Sequence, residues 1–506
     1  MDIANGLLLG LQTAMQPEIL LYCFIGVFLG TLIGVLPGIG ALAAISLLLP
    51  ITFHLEPTAA IVMLAGVYYG AQYGGSTAAI LLNLPGTPSS AVACLDGYPM
   101  AKQGRAGVAL FMTTVASFIG SMLGIMALVA FAPGIAEIGL LFGAAEYFSI
   151  MLLGLIAAAT LAAGSPIKGL AMVLFGLLLG TVGTDVNSGV PRFDFGIPEL
   201  MDAISLVALA MALFGIAELI SSVNLKRDGE VKEKITLRSM LPTREDVRQS
   251  VRPILRGSGI GGFMGALPGT GPSIASFMSY AIEKKVAKDP SRFGKGAIEG
   301  VTAPESANNA AAQTAFVPTL SLGIPGDAVM ALMLGALIIH GIQPGPMLMT
   351  AQPELFWGLI VSFAIGNIML VILNLPLVGI WVSILRIPYH VLYPAILVFI
   401  CLGVYSVNNN VFDVYMTAVL GVLGYVLLKL RFEPAPLLLG FVLGPMMEEN
   451  LRRAMLLSRG DPSTFIERPI SAVVLALCAL LLLWTAYAAF KRGMKRQEQE
   501  QDRIPE

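Results

Sequence analysis

The first Lys or Arg in this 506-residue chain is Lys102, and no formal charge occurs between Pro57 and Leu95. With no basic region ahead of the first apolar stretch, a cleavable signal peptide is not expected. Charged residues make up 12% of the chain and hydrophobic ones 56%. That charged share is about half of what a soluble globular protein carries, which excludes an ordinary water-soluble fold. Histidine occurs only at His54, His340 and His390, and no H-E-x-x-H spacing is present. Nor is there a G-x-S-x-G elbow, a paired-aspartate motif or a P-loop, so neither an enzyme nor a P-loop motor is expected, and no metal site. The four cysteines, Cys23, Cys94, Cys401 and Cys478, are far apart in apolar surroundings and read as small core residues. No basic cluster with interleaved aromatics suggests nucleic acid.

Long apolar runs are abundant. Val108–Phe131, Ala203–Val223, Leu355–Leu385 and Ser471–Ala489 each approach or exceed the ~20 residues needed to cross hydrocarbon as a helix. Continuous runs of this kind predict an all-α polytopic membrane protein and argue against a barrel, whose strands alternate over ~10 residues. By analogy with other repeat transporters, we expect about twelve membrane segments in two inverted repeats plus a final anchor helix, Ser471–Ala489. Nine Lys/Arg lie between Lys226 and Arg256, and the tail after the last run opens with "KRGMKR". Both belong on the cytoplasmic side by the positive-inside tendency.

The chain repeats itself. "GTLIGVLPGIG" (Gly30–Gly40) recurs as "GGFMGALPGTG" (Gly261–Gly271), an offset of 231. "STAAILLNLPGTPSSA" (Ser76–Ala91) aligns without gaps on "FVPTLSLGIPGDAVMA" (Phe316–Ala331), an offset of 240. The expected organisation is a first repeat over 1–223, a charged connector over 224–256, a second repeat over 257–467, and a final helix with a basic tail over 468–506.

A single Pro-Gly pair in a membrane helix is ordinarily a packing kink. Four, in two matched pairs, are a different matter. Open backbone at membrane depth leaves unpaired N–H and C=O groups that cost several kcal/mol each unless protein or a watery cavity satisfies them. Secondary transporters use such breaks, with discontinuous helices from two repeats meeting near the midplane around substrate and ions. The expected substrate contacts are therefore Pro37, Gly38, Pro268 and Gly269 at the first break of each half. At the second breaks they are Asn83, Pro85, Gly86, Thr87, Ser89, Ser90, Pro325 and Gly326. Gln72, Gly75, Ser76 and Thr77 precede the first-half break in "YYGAQYGGSTAA". Tyr68, Tyr69 and Tyr73 of that stretch serve equally well as packing aromatics.

In "PESANNAAAQTA" (Pro304–Ala315), Glu305, Asn309 and Gln313 fall at i, i+4 and i+8 on one face of an alanine-rich helix. Asn308 and Thr314 lie beside them. Such groups inside a membrane segment face either a cavity or a polar seam with a neighbouring helix. Their first-half counterparts are Ala65, Tyr69 and Tyr73, so one half is chemically biased toward a cation. Asn83, Glu305 and Asp327 are the expected ion-coupling residues. "GTVGTDVNSGVPRFDFG" (Gly180–Gly196) has poor calcium-loop spacing and reads as a solvated turn. The asparagines of "YSVNNNVFDV" (Tyr405–Val414) suit helix caps or a cavity equally.

Taken together, "GVLPGIG", "YYGAQYGGSTAAILLNLPGTPSSA" followed by "DGYPMAKQGRAG", "GALPGTG" and "PESANNAAAQTAFVPTLSLGIPGD" resemble the large membrane subunit of tripartite tricarboxylate transporters, the TctA family. The resemblance covers nearly the whole chain. It implies a bacterial inner-membrane importer of citrate or other carboxylates. Its implied partners are a periplasmic solute-binding protein and a small four-helix membrane subunit. It also implies coupling to sodium or protons, with Na+ as the one inorganic ion expected and no cofactor. The fold so implied is two inverted repeats with re-entrant helices and elevator-like movement. Two other classes are weighed against it: a membrane enzyme using Glu305 and Asp327 as a carboxylate pair, and a non-transporting assembly protein.

Overall fold

The computed structural model describes residues 2–36, 40–161, 165–185, 188–222, 235–236, 238–385 and 389–501. Pro37 and Gly38, and most of the connector from 223 to 234, lie outside the described residues. The described chain is almost wholly helical, with one two-residue strand pair joining Gly183–Thr184 to Pro191–Arg192. Among the described residues, five helices are long and apolar enough to cross a membrane: Pro17–Val35, Ala106–Gly139, Pro353–Asn374, Val411–Lys429 and Pro469–Tyr487. Seven shorter apolar helices accompany them.

Each half contains a helical hairpin followed by a helix interrupted at Pro-Gly. In the first half Pro17–Val35 and Gly40–Thr52 precede Pro57–Leu82, whose continuation resumes at Pro88–Val92 and Ala93–Lys102. In the second, Arg244–Gly265 and Gly271–Val286 precede Glu299–Thr314 and Phe316–Leu322, and Ala328–Ile339 follows the break. Arg244–Gly265 begins inside the expected connector, with a Thr243–Asp246 capping box, and runs without interruption past its expected end at 256.

Glycines set how the hairpins seat. A Cβ on Gly26, Gly30 or Gly34 would lie 2.2, 2.5 or 2.4 Å from the carbonyl oxygens of Met63, Val67 and Ala71. On Gly257, Gly261 or Gly265 it would lie 2.2, 2.0 or 2.3 Å from those of Ala303, Ala307 and Ala311. Only hydrogen fits, so each hairpin presses its backbone onto the following helix, as small-xxx-small seams do in membranes. The two seams differ by 231 residues on one side and 240 on the other, the offsets of the sequence repeat.

The breaks also correspond. Pro57–Leu82 ends in Asn83 at φ 57°, and Phe316–Leu322 ends in Gly323 at φ 70°, both left-handed. Glycine adopts that conformation freely and asparagine more readily than most residues. The chain then doubles back. A Cβ on Gly86 would fall 1.8 Å from the Gly34 carbonyl oxygen, and the nearest atom to one on Gly326 is the Gly265 carbonyl oxygen. Thr87 and Asp327 occupy the N-cap positions of the helical segments that follow.

Candidate binding cavity

Residues at or just after each of the four Pro-Gly motifs line one cavity of about 730 Å³. Gly40–Leu42 line it from the first hairpin, Thr87–Ser89 from the first break, Gly269–Ile274 from the second hairpin and Asp327–Val329 from the second break. Three of these stretches open helices of twelve or more residues, Gly40–Thr52, Gly271–Val286 and Ala328–Ile339. The first N–H groups of a helix have no intrahelical acceptor, and its start carries roughly half a positive charge. No Lys or Arg lines the cavity among the described residues; its charged side chains are Glu218, Asp327 and Glu433.

The three helix starts are not equal. Asp327 Oδ1 accepts the Met330 N–H at 2.8 Å, and Oδ2 accepts the Tyr68 hydroxyl at 2.8 Å. That start is therefore already capped by a carboxylate. The other two leave roughly one positive charge between them.

On the opposite wall, Gln72 Oε1 accepts the Ser89 hydroxyl at 2.5 Å and, more weakly, the Thr87 hydroxyl at 3.5 Å. This orients the amide so that its nitrogen, with no partner among the described residues, is left as a donor on the cavity wall. Ser276 donates to the Ser89 carbonyl at 2.8 Å, and Gly269 donates its N–H to the Gly326 carbonyl at 2.7 Å. The Ser276–Ser89 bond ties the tips of the two halves to one another, and Gly269–Gly326 joins the two tips of the second half.

Of the residues expected from sequence, Gln72, Thr87, Ser89, Gly269 and Asp327 line the cavity. Gly75, Ser76, Thr77, Asn83, Pro85, Gly86, Ser90, Pro268, Pro325 and Gly326 do not; they shape the breaks behind the wall. Gly75 sits against Gly86, whose N–H it receives at 3.4 Å. Ser90 completes the Thr87 capping box. Asn308, Asn309, Gln313, Thr314 and Glu305 are also off the wall. They are fully buried on Glu299–Thr314, where Glu305 Oε2 meets Asn308 Nδ2 at 3.3 Å and Ser117 Oγ at 3.4 Å. Asn410 proves to be a cap, accepting the Phe412 N–H. Asp185 in the Gly180–Gly196 loop pairs with Arg452.

The family model for the tripartite tricarboxylate transporter TctA family matches residues 20–439. The chain belongs to the TctA family. It is thus a multi-pass membrane protein of a transporter family. Two curated relatives come from Agrobacterium vitis. One, an uncharacterized 52.8 kDa protein in the TAR-I ttuC' 3' region, is 52% identical over 486 residues, covering 96% of this chain and 97% of the relative. The other, an uncharacterized protein in the TAR-II ttuC' 3' region, is 60% identical over 226 residues, covering 44% of this chain and 93% of the relative. No solved structure matches the chain.

Several cavity residues of this TctA protein escape a reading of the sequence. Thr270 and Ser273 fall just past "LPG", and extending the motif by five residues would have included them. Glu218 is a lone acid in the apolar run Ala203–Val223, which is itself a signal. It follows a π-helical stretch, Met211–Ile216, a distortion common at functional sites. Glu433 carries no local signal; only the tertiary fold brings it to the cavity.

Proposed function

We propose that this chain is the large transmembrane subunit of a binding-protein-dependent secondary importer of di- and tricarboxylates. The observation that carries the reading is the cavity itself. Its volume suits a small organic acid, and helix starts supply its positive character in place of basic side chains. Anions are held in this way at helix N-termini generally. The shortfall in positive charge against a di- or tricarboxylate is the physical reason for cation coupling, by sodium or protons.

The matched seams and breaks support two structural repeats. Their inversion is supported by one junction. Asp96, which follows the first break, meets Gly294–Ala297, which precede the second broken helix. That sets the end of the first broken segment beside the start of the second, the arrangement expected of inverted repeats. Movement of the tip-bearing elements against the remaining helices is the transport step that such a fold favours. Arg105 pairs with Asp246 at 2.5 Å, joining the Lys102–Arg105 loop to the basic connector on one face. The positive-inside tendency makes that face cytoplasmic, in a bacterial inner membrane. A periplasmic binding protein and a small membrane subunit complete the system. The enzyme reading finds less support, because Glu305 and Asp327 do not share the cavity wall.

The test is uptake into vesicles bearing the full complex, with a panel of mono-, di- and tricarboxylates under imposed sodium or proton gradients. Gradient-dependent accumulation of di- or tricarboxylates is expected, with monocarboxylates excluded. Accumulation of none of them would reject the proposal.

A further inference from the structure

Behind the cavity wall, Glu299–Thr314 carries a polar stripe whose hydrogen bonding is incomplete. Glu305, Asn309 and Gln313 are 1%, 0% and 0% exposed. Glu305 Oε1, Asn309 Oδ1 and both amide atoms of Gln313 have no partner among the described residues. The surrounding bonds are to neutral groups. Asn309 Nδ2 donates to Ser117 Oγ at 2.8 Å and to the Glu305 carbonyl at 3.0 Å, and Ser117 belongs to the parallel helix Ala106–Gly139. Gly120 and Gly124 of that helix press on the carbonyls of Ser306 and Ala310, closing the seam to lipid.

A buried carboxylate without a counter-charge is severely destabilising, so Glu305 must be neutralised by something. The charged groups on neighbouring elements are committed elsewhere. Asp96 is held by backbone amides, Arg256 by Glu283, Arg105 by Asp246, and Arg292 by Glu299. Lys284 and Lys285 are exposed. Among the described residues, the titratable groups within electrostatic reach of Glu305 are Tyr73 and Cys94. A metal ion needs some six oxygens gathered at about 2.3–2.6 Å. Here the unpartnered oxygens are set one helical turn apart, climbing about 12 Å from Glu305 to Gln313. That spacing suits a hydrogen-bonded file of water and a proton, with each buried polar group completed by solvent.

We infer that Glu305 is a proton site separate from the cavity, and that Asn309, Ser117 and Gln313 form a hydrated track along which its proton exchanges. The inference rests on the importer reading and deepens it by giving the coupling proton its own place. The proton moves onto a Glu305 carboxylate oxygen and leaves from it to track water, with no other bond made or broken.

Two measurements test it on the full complex. Infrared difference spectra of the purified complex between acid and alkaline buffer are expected to contain a buried protonated-carboxyl band that is missing in Glu305→Gln. Absence of a band sensitive to that substitution overturns the inference, whether or not the complex transports anything. In sodium-free vesicles, using whichever carboxylate of the panel wild type accumulates, Glu305→Gln is expected to keep carboxylate exchange and lose accumulation driven by a pH gradient. Wild-type accumulation in that variant overturns the inference. Should Glu305→Gln fail to fold, Gln313→Leu leaves the carboxyl in place and interrupts the track. Its infrared band should persist while pH-driven uptake slows; an unchanged rate overturns the proposed track.

Discussion

Gln72 reaches the cavity with its carbonyl oxygen already held by Ser89 and Thr87, so it offers the amide nitrogen to a ligand. Gln72→Ala is expected to weaken carboxylate binding by roughly five- to fifteenfold, the loss of one hydrogen bond of about 1–1.5 kcal/mol. Calorimetric titration of the purified complex checks this, and unchanged affinity would remove Gln72 from the contact set. Gln72, Ser89 and Asp327 were legible in sequence because a polar group in an uncharged membrane segment is expensive and needs a reason. Asn83 looked equivalent by that criterion. Its left-handed backbone at the end of Pro57–Leu82 gives it a conformational reason as well. Composition cannot separate a polar residue that terminates a helix from one that meets a ligand.

At the level of elements, the hairpins are set by glycine seams. Gly261→Ala would drive a methyl to 2.0 Å from the Ala307 carbonyl oxygen and force two backbones apart. It is expected to cost about 1–3 kcal/mol, read as a lowered unfolding temperature in detergent. Gly259 lies on the same helix with nothing within 4 Å of its would-be Cβ, and Gly259→Ala should leave that temperature unchanged. Equal effects would show that packing against Glu299–Thr314 is not what the glycine serves. The doubled Pro-Gly breaks were legible from two alignment offsets. Which helices lie against each other was not, since it depends on which glycine meets which carbonyl.

For the molecule as a whole, the decisive tie is Asp96. Its Oδ1 accepts four backbone N–H groups, from Gly294, Lys295, Gly296 and Ala297, at 2.8–3.1 Å, and Oδ2 accepts the Tyr280 hydroxyl at 2.9 Å. Beside it Gln103 donates to the Lys295 carbonyl at 2.8 Å. The segments that carry the two sets of tips are thereby clasped to each other. If they travel together, a disulfide between Gln103→Cys and Lys295→Cys should leave vesicle uptake near its reduced-state rate. Loss of uptake on oxidation, restored by reductant, would show instead that the halves slide at this junction. The clasp was invisible in the sequence, because its donors are peptide groups of a glycine-rich loop, which no residue type announces.

Apart from the Gln72 amide, the donors that the proposed reading turns toward an anion are likewise peptide groups, at Gly40–Leu42, Gly271 and Ser273. No codon change can delete a main-chain amide, short of proline or a collapse of the turn. Side chains around the rim, such as Gln72, Ser89, Ser273 and Glu218, are free to vary. On the proposed reading, a lineage built on this plan can therefore exchange one acid for another by altering the collar while inheriting the same handle for acid groups.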